Sequence, residues 1–139
     1  MTAWRFLDYI TEERVVPIAD WYDAQDGQVR AAFDLRIELL RVEDDWGHRR
    51  RGRVKALAKA HRGLTQIPFE VDVWDRARRK SRRRRLRALG LWKQAIREFV
   101  FFGGVEEHGQ NYVPADAFDR AMRHWRAFEQ GRGTTRDHI

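Results

Sequence analysis

Polar and apolar residues alternate along residues 65–73, with the apolar side chains at the odd positions. This alternation predicts a β-strand with one buried face. Because proline cannot donate to a ladder, Pro68 favours an edge position or a bulge in this strand. Aromatic and aliphatic runs at residues 4–9, 86–92 and 98–105 predict three further strands.

Helical spacing of apolar residues appears in three other segments. Pro17 suits the first turn of one helix, and Asp26 suits the N-cap of the next. The apolar stripe of the second helix contains Val29, Ala32, Phe33, Ile37 and Leu40. Since only a short turn separates these two helices, they should form an antiparallel hairpin. Pro114 opens a third helix, which Gly131 ends.

The elements follow the order strand, two helices, three strands, helix, which predicts a single α+β domain over residues 1–139. Three consecutive strands with loop connections predict an antiparallel meander that completes a small sheet. Residues 46–62 predict a loop with at most one helical turn, and residues 75–85 a long basic loop. The polar tail, residues 130–139, is expected to be flexible.

Composition limits the function classes. The chain has 28 Lys and Arg against 21 Asp and Glu, a net charge of +7, which suits nucleic acid, an anionic membrane or an acidic protein as a partner. No apolar run approaches the ~20 residues that span a bilayer, so we expect no membrane partner. Cysteine is absent, which excludes disulfides and fits a reducing compartment. We therefore expect a cytoplasmic protein.

The charge is concentrated in one block, because nine of the twelve residues 76–87 are Arg or Lys. Like charges at this density stay solvated unless a polyanion neutralises them. The block predicts a clamp for a nucleic-acid backbone or a docking surface for an acidic partner protein. The candidate contacts are Arg76, Arg78, Arg79, Lys80, Arg82, Arg83, Arg84 and Arg85. Lys93 is a further candidate contact, and His108 and Tyr112 are candidates either as an alternative acid or as base-stacking groups.

Four local phrases occur in a recognisable order. They are VVPIADW at residues 15–21, LRALGLW at 86–92, FVFFGGV at 99–105, and YVP at 112–114 leading to Ala121. Together they resemble the RelE/ParE superfamily of bacterial toxins. Within that superfamily they look most like the HigB-like, phage-derived branch. The resemblance covers most of the chain.

The resemblance implies a type II toxin–antitoxin function. RelE-type members are small basic endoribonucleases that cut messenger RNA without a metal, generally on the ribosome, and an acidic helix-turn-helix antitoxin neutralises them. The ParE branch instead inhibits DNA gyrase on the same fold, so the fold does not settle the activity. Three features depart from the family: Glu106-Glu107 replaces the usual Lys, Pro68 stands where Arg is common, and the arginine loop is longer.

Metal-free RNA cleavage needs a base for the 2′-hydroxyl, an acid for the 5′-oxygen and fixed positive charge. Arg87 matches the family's strand arginine and is the candidate for that charge; otherwise it pairs with a sheet carboxylate such as Glu70. Glu70 is a candidate base or a solvent-facing acid. His138, near the C-terminus as in some family members, is a candidate acid or a disordered tail residue.

No cofactor or metal is expected. His48, His61 and His124 lack the paired spacing that holds zinc, and the chain has no glycine-rich phosphate loop. An endoribonuclease toxin is therefore the first hypothesis. A gyrase inhibitor is the second, and a basic nucleic-acid-binding protein without activity on the same fold is the third.

Overall fold

A mixed β-sheet with helices on both faces forms the molecule, in a computed structural model that describes residues 3–43, 55–57 and 61–138. Within those residues the strands are β1 (Arg5–Ile10), β2 (Lys55–Ala56), β3 (Thr65–Asp75), β4 (Lys80–Lys93), β5 (Glu98–His108), β6 (Asn111–Val113) and β7 (Thr134–Asp137). The helices are α1 (Pro17–Asp23), α2 (Gly27–Arg41) and α3 (Ala117–Glu129). The predicted α+β class is confirmed at this level.

The sheet has the order β2-β3-β4-β5-β1-β7 among the described strands, and β6 pairs with the far end of β5. Strands β3, β4 and β5 are successively antiparallel, so the predicted meander is confirmed. β1 joins the meander by pairing with β5 in parallel. Among the described residues, β2 pairs with Thr65 and Gln66 of β3, and Pro68 has no partner on that side within them.

Two hydrophobic layers form on the two faces of the sheet. α1 and α2 cover the first face, whose buried residues are Trp4, just before β1, and the sheet residues Phe6, Ile67, Phe69, Leu86, Ala88, Phe99 and Phe101. α3 covers the second face, whose sheet residues are Leu7, Tyr9, Leu89, Val100, Phe102 and Val105. Residues that alternate along one strand therefore point to different helices.

Both helices of the predicted hairpin form, and the Tyr22 hydroxyl of α1 donates to the Asp34 carboxylate of α2 at 2.8 Å. Pro17 occupies the first turn of α1. The Asp26 side chain accepts a hydrogen bond of 2.9 Å from the backbone N–H of Val29 and so caps α2. The buried residues of α2 are Val29, Phe33, Ile37 and Leu40, which confirms the predicted stripe. α3 begins at Ala117, three residues later than the predicted start at Pro114.

The predicted basic loop over residues 75–85 is wrong. β3 runs to Asp75 and β4 begins at Lys80, so most of the block lies in a long β-hairpin that turns at residues 76–79. The Asp75 carboxylate accepts hydrogen bonds from the backbone N–H groups of Ala77 and Arg78, at 3.0 and 3.3 Å, which stabilises the turn. Backbone pairing and cross-strand ion pairs hold this ribbon, although few of its residues are apolar.

The expectation of a flexible tail is also wrong for most of residues 130–139. β7 adds to the edge of β1, and the backbone N–H of His138 donates to the Phe6 carbonyl at 2.8 Å. The Tyr9 hydroxyl donates to the Arg132 carbonyl at 3.0 Å. A polar segment can form this strand because main-chain pairing needs no apolar side chain. Of the predicted loop 46–62, residues 46–54 and 58–60 lie outside the described residues.

Replacement of Gly104 by alanine should destabilise the fold. A Cβ at Gly104 would clash with three ring atoms of Trp21, the α1 side chain that lies against the sheet. We expect Gly104→Ala to lower the free energy of unfolding by about 1–3 kcal/mol, the usual cost of overpacking, measured by urea denaturation. Gly27→Ala is the matched control, since a Cβ there has nothing within 4 Å. Equal stability of the two variants would contradict this packing.

Candidate functional site

The tip of the β3–β4 hairpin carries a group of cations with little compensation. Among the described residues, Arg76, Arg79, Lys80 and Arg82 have no ion pair and are exposed, and Arg78 makes only a 3.8 Å contact with Asp75. We call these five residues the hairpin tip. Since the Arg78–Asp75 contact is its one compensating ion pair in the described structure, the hairpin tip presents nearly uncompensated positive charge to solvent.

Nearer the body of the sheet, the cations of β4 are matched by carboxylates of β3. Arg83 contacts Asp72 at 3.1 Å and Glu70 at 3.2 Å, and Arg85 contacts Glu70 at 3.3 Å. The hydrogen bond from Arg83 lowers the pKa of Asp72. Glu70, which the sequence offers as a base or as a solvent-facing acid, lies between the guanidinium groups of Arg83 and Arg85. Its carboxylate faces solvent, as the second of these interpretations states.

Arg84 is built into the sheet. Its guanidinium binds both carboxylate oxygens of Glu106, with Nε at 2.8 Å from Oε2, and it also contacts the helix-capping Asp26 at 2.8 Å. The Arg84 side chain is only 14% exposed. The hydrogen bond from Arg84 is the main cause of the lowered pKa of Glu106. His108 lies 3.4 Å from the same carboxylate. Arg84 thus connects the hairpin to α2.

Arg87 lies on the opposite face of β4, because its neighbours Leu86 and Ala88 point into the layer under α1 and α2. Its guanidinium donates to Gln66 Oε1 and to Glu107 Oε2, both at 2.9 Å. It also lies 5.4 Å from the centre of the Tyr112 ring. These three contacts orient the Arg87 side chain. Since it is 23% exposed, it still reaches solvent.

A histidine that the sequence did not single out for catalysis lies beyond Tyr112. The rings of Tyr112 and Phe118 are 4.9 Å apart at nearly a right angle, and Phe118 is 5.5 Å from His61. His61 Nε2 is 2.7 Å from the Asp119 carboxylate. The two members of this pair are 58 residues apart in sequence, so no local motif could have revealed it.

His138 does not join Arg87. It lies in the layer on the α2 side, where its Nδ1 is 2.7 Å from the buried Asp8 and its ring packs against Phe33 and Phe101. Arg136 also donates to Asp8, at 3.2 Å. His138 is thus a packed residue on the other face of the sheet. Lys93 is likewise remote from Arg87, with its ammonium 5.0 Å from the centre of the Phe128 ring.

The described residues contain no cluster of three or more His, Asp or Glu side chains that could hold a metal ion. In the same part of the chain, no helix is both long and apolar enough to cross a bilayer. The sequence matches no known protein family, and neither curated proteins nor solved structures gave a significant match.

Removal of the Glu106 carboxylate should strongly destabilise the protein. Glu106→Ala leaves the partly buried Arg84 without its main partner, and loss of one member of such a pair costs about 3 kcal/mol. We expect this loss in the free energy of unfolding at pH 7, measured by urea denaturation. The control Glu38→Ala removes an exposed pair with Arg41 and should cost no more than about 0.5 kcal/mol. A small effect of Glu106→Ala would show that the pair does not hold the hairpin.

The contribution of Glu106 should also depend on pH. Its pKa is lower in the folded state than the ordinary value of 4.5, so the stabilisation is complete above pH 4.5 and is lost as the pH falls through the folded pKa. The difference in stability between the wild type and Glu106→Ala should therefore shrink on acidification. Urea denaturation at a series of pH values between 3 and 7 measures it, and a difference that stays constant would contradict the assignment.

Proposed function

We propose that the chain is a RelE/ParE-type toxin that cuts messenger RNA without a metal ion. The observation that carries this proposal is the position of Arg87. It lies beside Tyr112 on the face of a rigid sheet, at the base of a hairpin whose tip has uncompensated positive charge. The order of the elements and the four sequence phrases support the same family.

In this proposal the hairpin tip attracts the RNA backbone. Each neutralised phosphate releases counterions, so binding of this kind is strong at low salt and carries no sequence information. Trp74 lies on the same hairpin and is 54% exposed, which suits the stacking of an unpaired base. Its position in β3 places it on the same face as Arg87, because Trp74 faces Ser81 and Pro68 faces Arg87 in the register.

The proposed chemistry is attack of the 2′-oxygen on the adjacent phosphorus, with departure of the 5′-oxygen. A base takes the 2′-hydroxyl proton, and an acid supplies a proton to the 5′-oxygen. Arg87 stabilises the charge of the phosphorane, since guanidinium binds phosphate oxygens with two hydrogen bonds. Glu107, which accepts from Arg87 at 2.9 Å, is the proposed base in place of Glu70.

We assign the proton for the 5′-oxygen to His61, which Asp119 orients. His61 replaces His138 in this role, because His138 lies on the other face of the sheet and is held by Asp8. Tyr112 is the proposed stacking surface between Arg87 and Phe118. The remaining parts of the proposal follow from the family resemblance: action on ribosome-bound messenger RNA in the cytoplasm, and neutralisation by an acidic antitoxin.

The activity should depend on Arg87. The purified protein, incubated with end-labelled RNA in EDTA and, separately, in a translation extract that keeps its Mg²⁺, should yield fragments that end in a 2′,3′-cyclic phosphate. We expect Arg87→Ala to reduce the cleavage rate by about 10²–10³, the usual loss when one electrostatic stabiliser is removed. Arg126→Ala, an exposed arginine of α3 with no ion pair among the described residues, is the control and should cleave as the wild type does.

Three other results would contradict this proposal. Cleavage that is unchanged in Arg87→Ala, when both variants have wild-type circular dichroism and melting temperature, would remove Arg87 from the mechanism. Inhibition of DNA supercoiling with intact RNA would instead identify a gyrase inhibitor, the second hypothesis. A fold without either activity would leave the third, a nucleic-acid-binding protein.

The hairpin tip should determine the salt dependence of RNA binding. Replacement of Arg76, Arg79, Lys80 and Arg82 by alanine removes up to four phosphate contacts, each worth about 0.7 in the slope of log K against log salt for single strands. We expect the slope to fall by about 3 for a single-stranded RNA in fluorescence anisotropy. The control combines Arg126→Ala with Arg123→Ala, two exposed residues on α3, and should leave the slope unchanged. Equal slopes for both variants would place the RNA elsewhere.

A further inference from the structure

A cleft of about 610 Å³ opens between α1 and α3, away from the hairpin tip. Its floor is the middle of β5, at Phe102, Gly103 and Gly104. α1 contributes Trp21 to one wall, and α3 contributes Arg123 to the other. A volume of this size suits a bound ligand or a short peptide segment.

The floor of the cleft is an interrupted sheet edge. β1 pairs with β5 only as far as Phe101, and β6 begins its pairing at Glu106 on the same side. The segment Phe102–Val105 therefore has no strand on that side among the described residues, although β4 pairs with β5 on the other side. The backbone groups that face the gap form a template for about four residues of an added strand.

The shape of β5 keeps this edge accessible. Leu89 pairs with Gly103 and Gly90 pairs with Phe101, so Phe102 is the extra residue of a β-bulge. A Cβ added to Gly103 would have nothing within 4 Å, which shows open space above the backbone. Gly104 lets the Trp21 ring lie directly on the strand. The cleft thus has a bare backbone floor with an aromatic side wall.

The two walls differ in their chemistry. Arg120, Arg123 and His124 of α3 line one side, and among the described residues Arg123 has no ion pair. Burial lowers the pKa of His124, so this ring is neutral at pH 7 and can donate or accept a hydrogen bond. Pro17 and Trp21 make the α1 side mainly apolar, with Asp20 as a charged residue of the same helix.

We infer that the gap at Phe102–Val105 binds an extended peptide segment of a partner protein, which adds to β5 as a strand between β1 and β6. Alternate side chains of a strand point to opposite faces of the sheet. α1 and α3 lie on opposite faces, so one set meets the apolar wall and the other meets Arg120 and Arg123. The segment that fits alternates apolar residues with acidic ones.

Charge and backbone chemistry favour a peptide over a nucleic acid. Glu13, Asp20 and Glu106 also line the cleft, and these carboxylates repel a continuous row of phosphates. The carboxylates of an alternating peptide point to the α3 side, where Arg120 and Arg123 outnumber Glu13, the carboxylate that lies near His124. A peptide also supplies the N–H and C=O groups that the edge of β5 requires, which a nucleotide does not. The inference does not depend on RNA cleavage.

Two probes test this inference with the full chain. The first is the acetylated and amidated peptide Val-Glu-Val-Glu-Val, and the second carries lysine in place of glutamate. We expect the acidic probe to bind the wild type at least about tenfold more tightly than the basic probe, measured by isothermal titration or by NMR. Amide hydrogen exchange within Phe102–Val105 should slow on addition of the acidic probe, because the N–H groups that face the gap gain partners.

A charge reversal provides the decisive control. Arg123→Glu should weaken binding of the acidic probe by about tenfold, or roughly 1.4 kcal/mol, and should improve binding of the basic probe. Arg126→Glu makes the same change outside the cleft and should leave both affinities unchanged. Circular dichroism shows whether each variant folds.

Three outcomes would overturn the inference. The first is failure of the acidic probe to bind the wild type at millimolar concentration. The second is equal affinity of Arg123→Glu and Arg126→Glu for that probe. The third is binding that leaves hydrogen exchange at Phe102–Val105 unchanged, which would place the peptide outside the gap. Because these measurements contain no RNA, their failure is distinct from a failure of the proposed ribonuclease activity.

Discussion

Repulsion within the arginine block is the constraint to which the rest of the sheet responds. Nine cations in twelve residues cannot pack together, and the hairpin separates them by alternating their side chains between two faces. Carboxylates of the neighbouring strands then match them: Glu70 and Asp72 of β3 contact Arg83, and Glu106 and Glu107 of β5 contact Arg84 and Arg87. Glu106 and Glu107 thus have a structural role in this chain.

This compensation divides the block into a structural part and a part available for binding. At the base of the hairpin, Arg84 pairs with the nearly buried Glu106, whose loss is costly, so the charge of Arg84 serves the fold. At the tip the carboxylates end with Asp75, and the remaining charge faces solvent. Arg87 is intermediate, because Gln66 and Glu107 orient it while leaving it partly exposed. A phosphate could replace Glu107 as its partner without rearrangement of the sheet.

The spacing of apolar residues in the sequence predicted the helices and strands that bury apolar side chains. It failed for the strands that backbone hydrogen bonds or ion pairs stabilise. The stripe of α2 and the alternation of β3 follow directly from burial. The first part of β4 has no apolar face, so the alternation rule could not detect it, and β7 is a polar strand that pairs through its backbone. The site depends on contacts distant in sequence, such as His61 with Asp119, which periodicity does not report.

The same sheet has two different unsatisfied features, one at the hairpin tip and one in the middle of β5, and they need different partners. The hairpin tip lacks counter-charge, which a flexible polyanion supplies at long range and with little geometric demand. The β5 gap lacks backbone partners, which only a closely docked strand supplies. Val105 of β5 pairs with Arg87 of β4. An added strand that reaches Val105 would therefore be separated from the proposed catalytic arginine by β5 alone. A partner bound in the gap is therefore placed to restrain Arg87 through β5, without covering the hairpin tip.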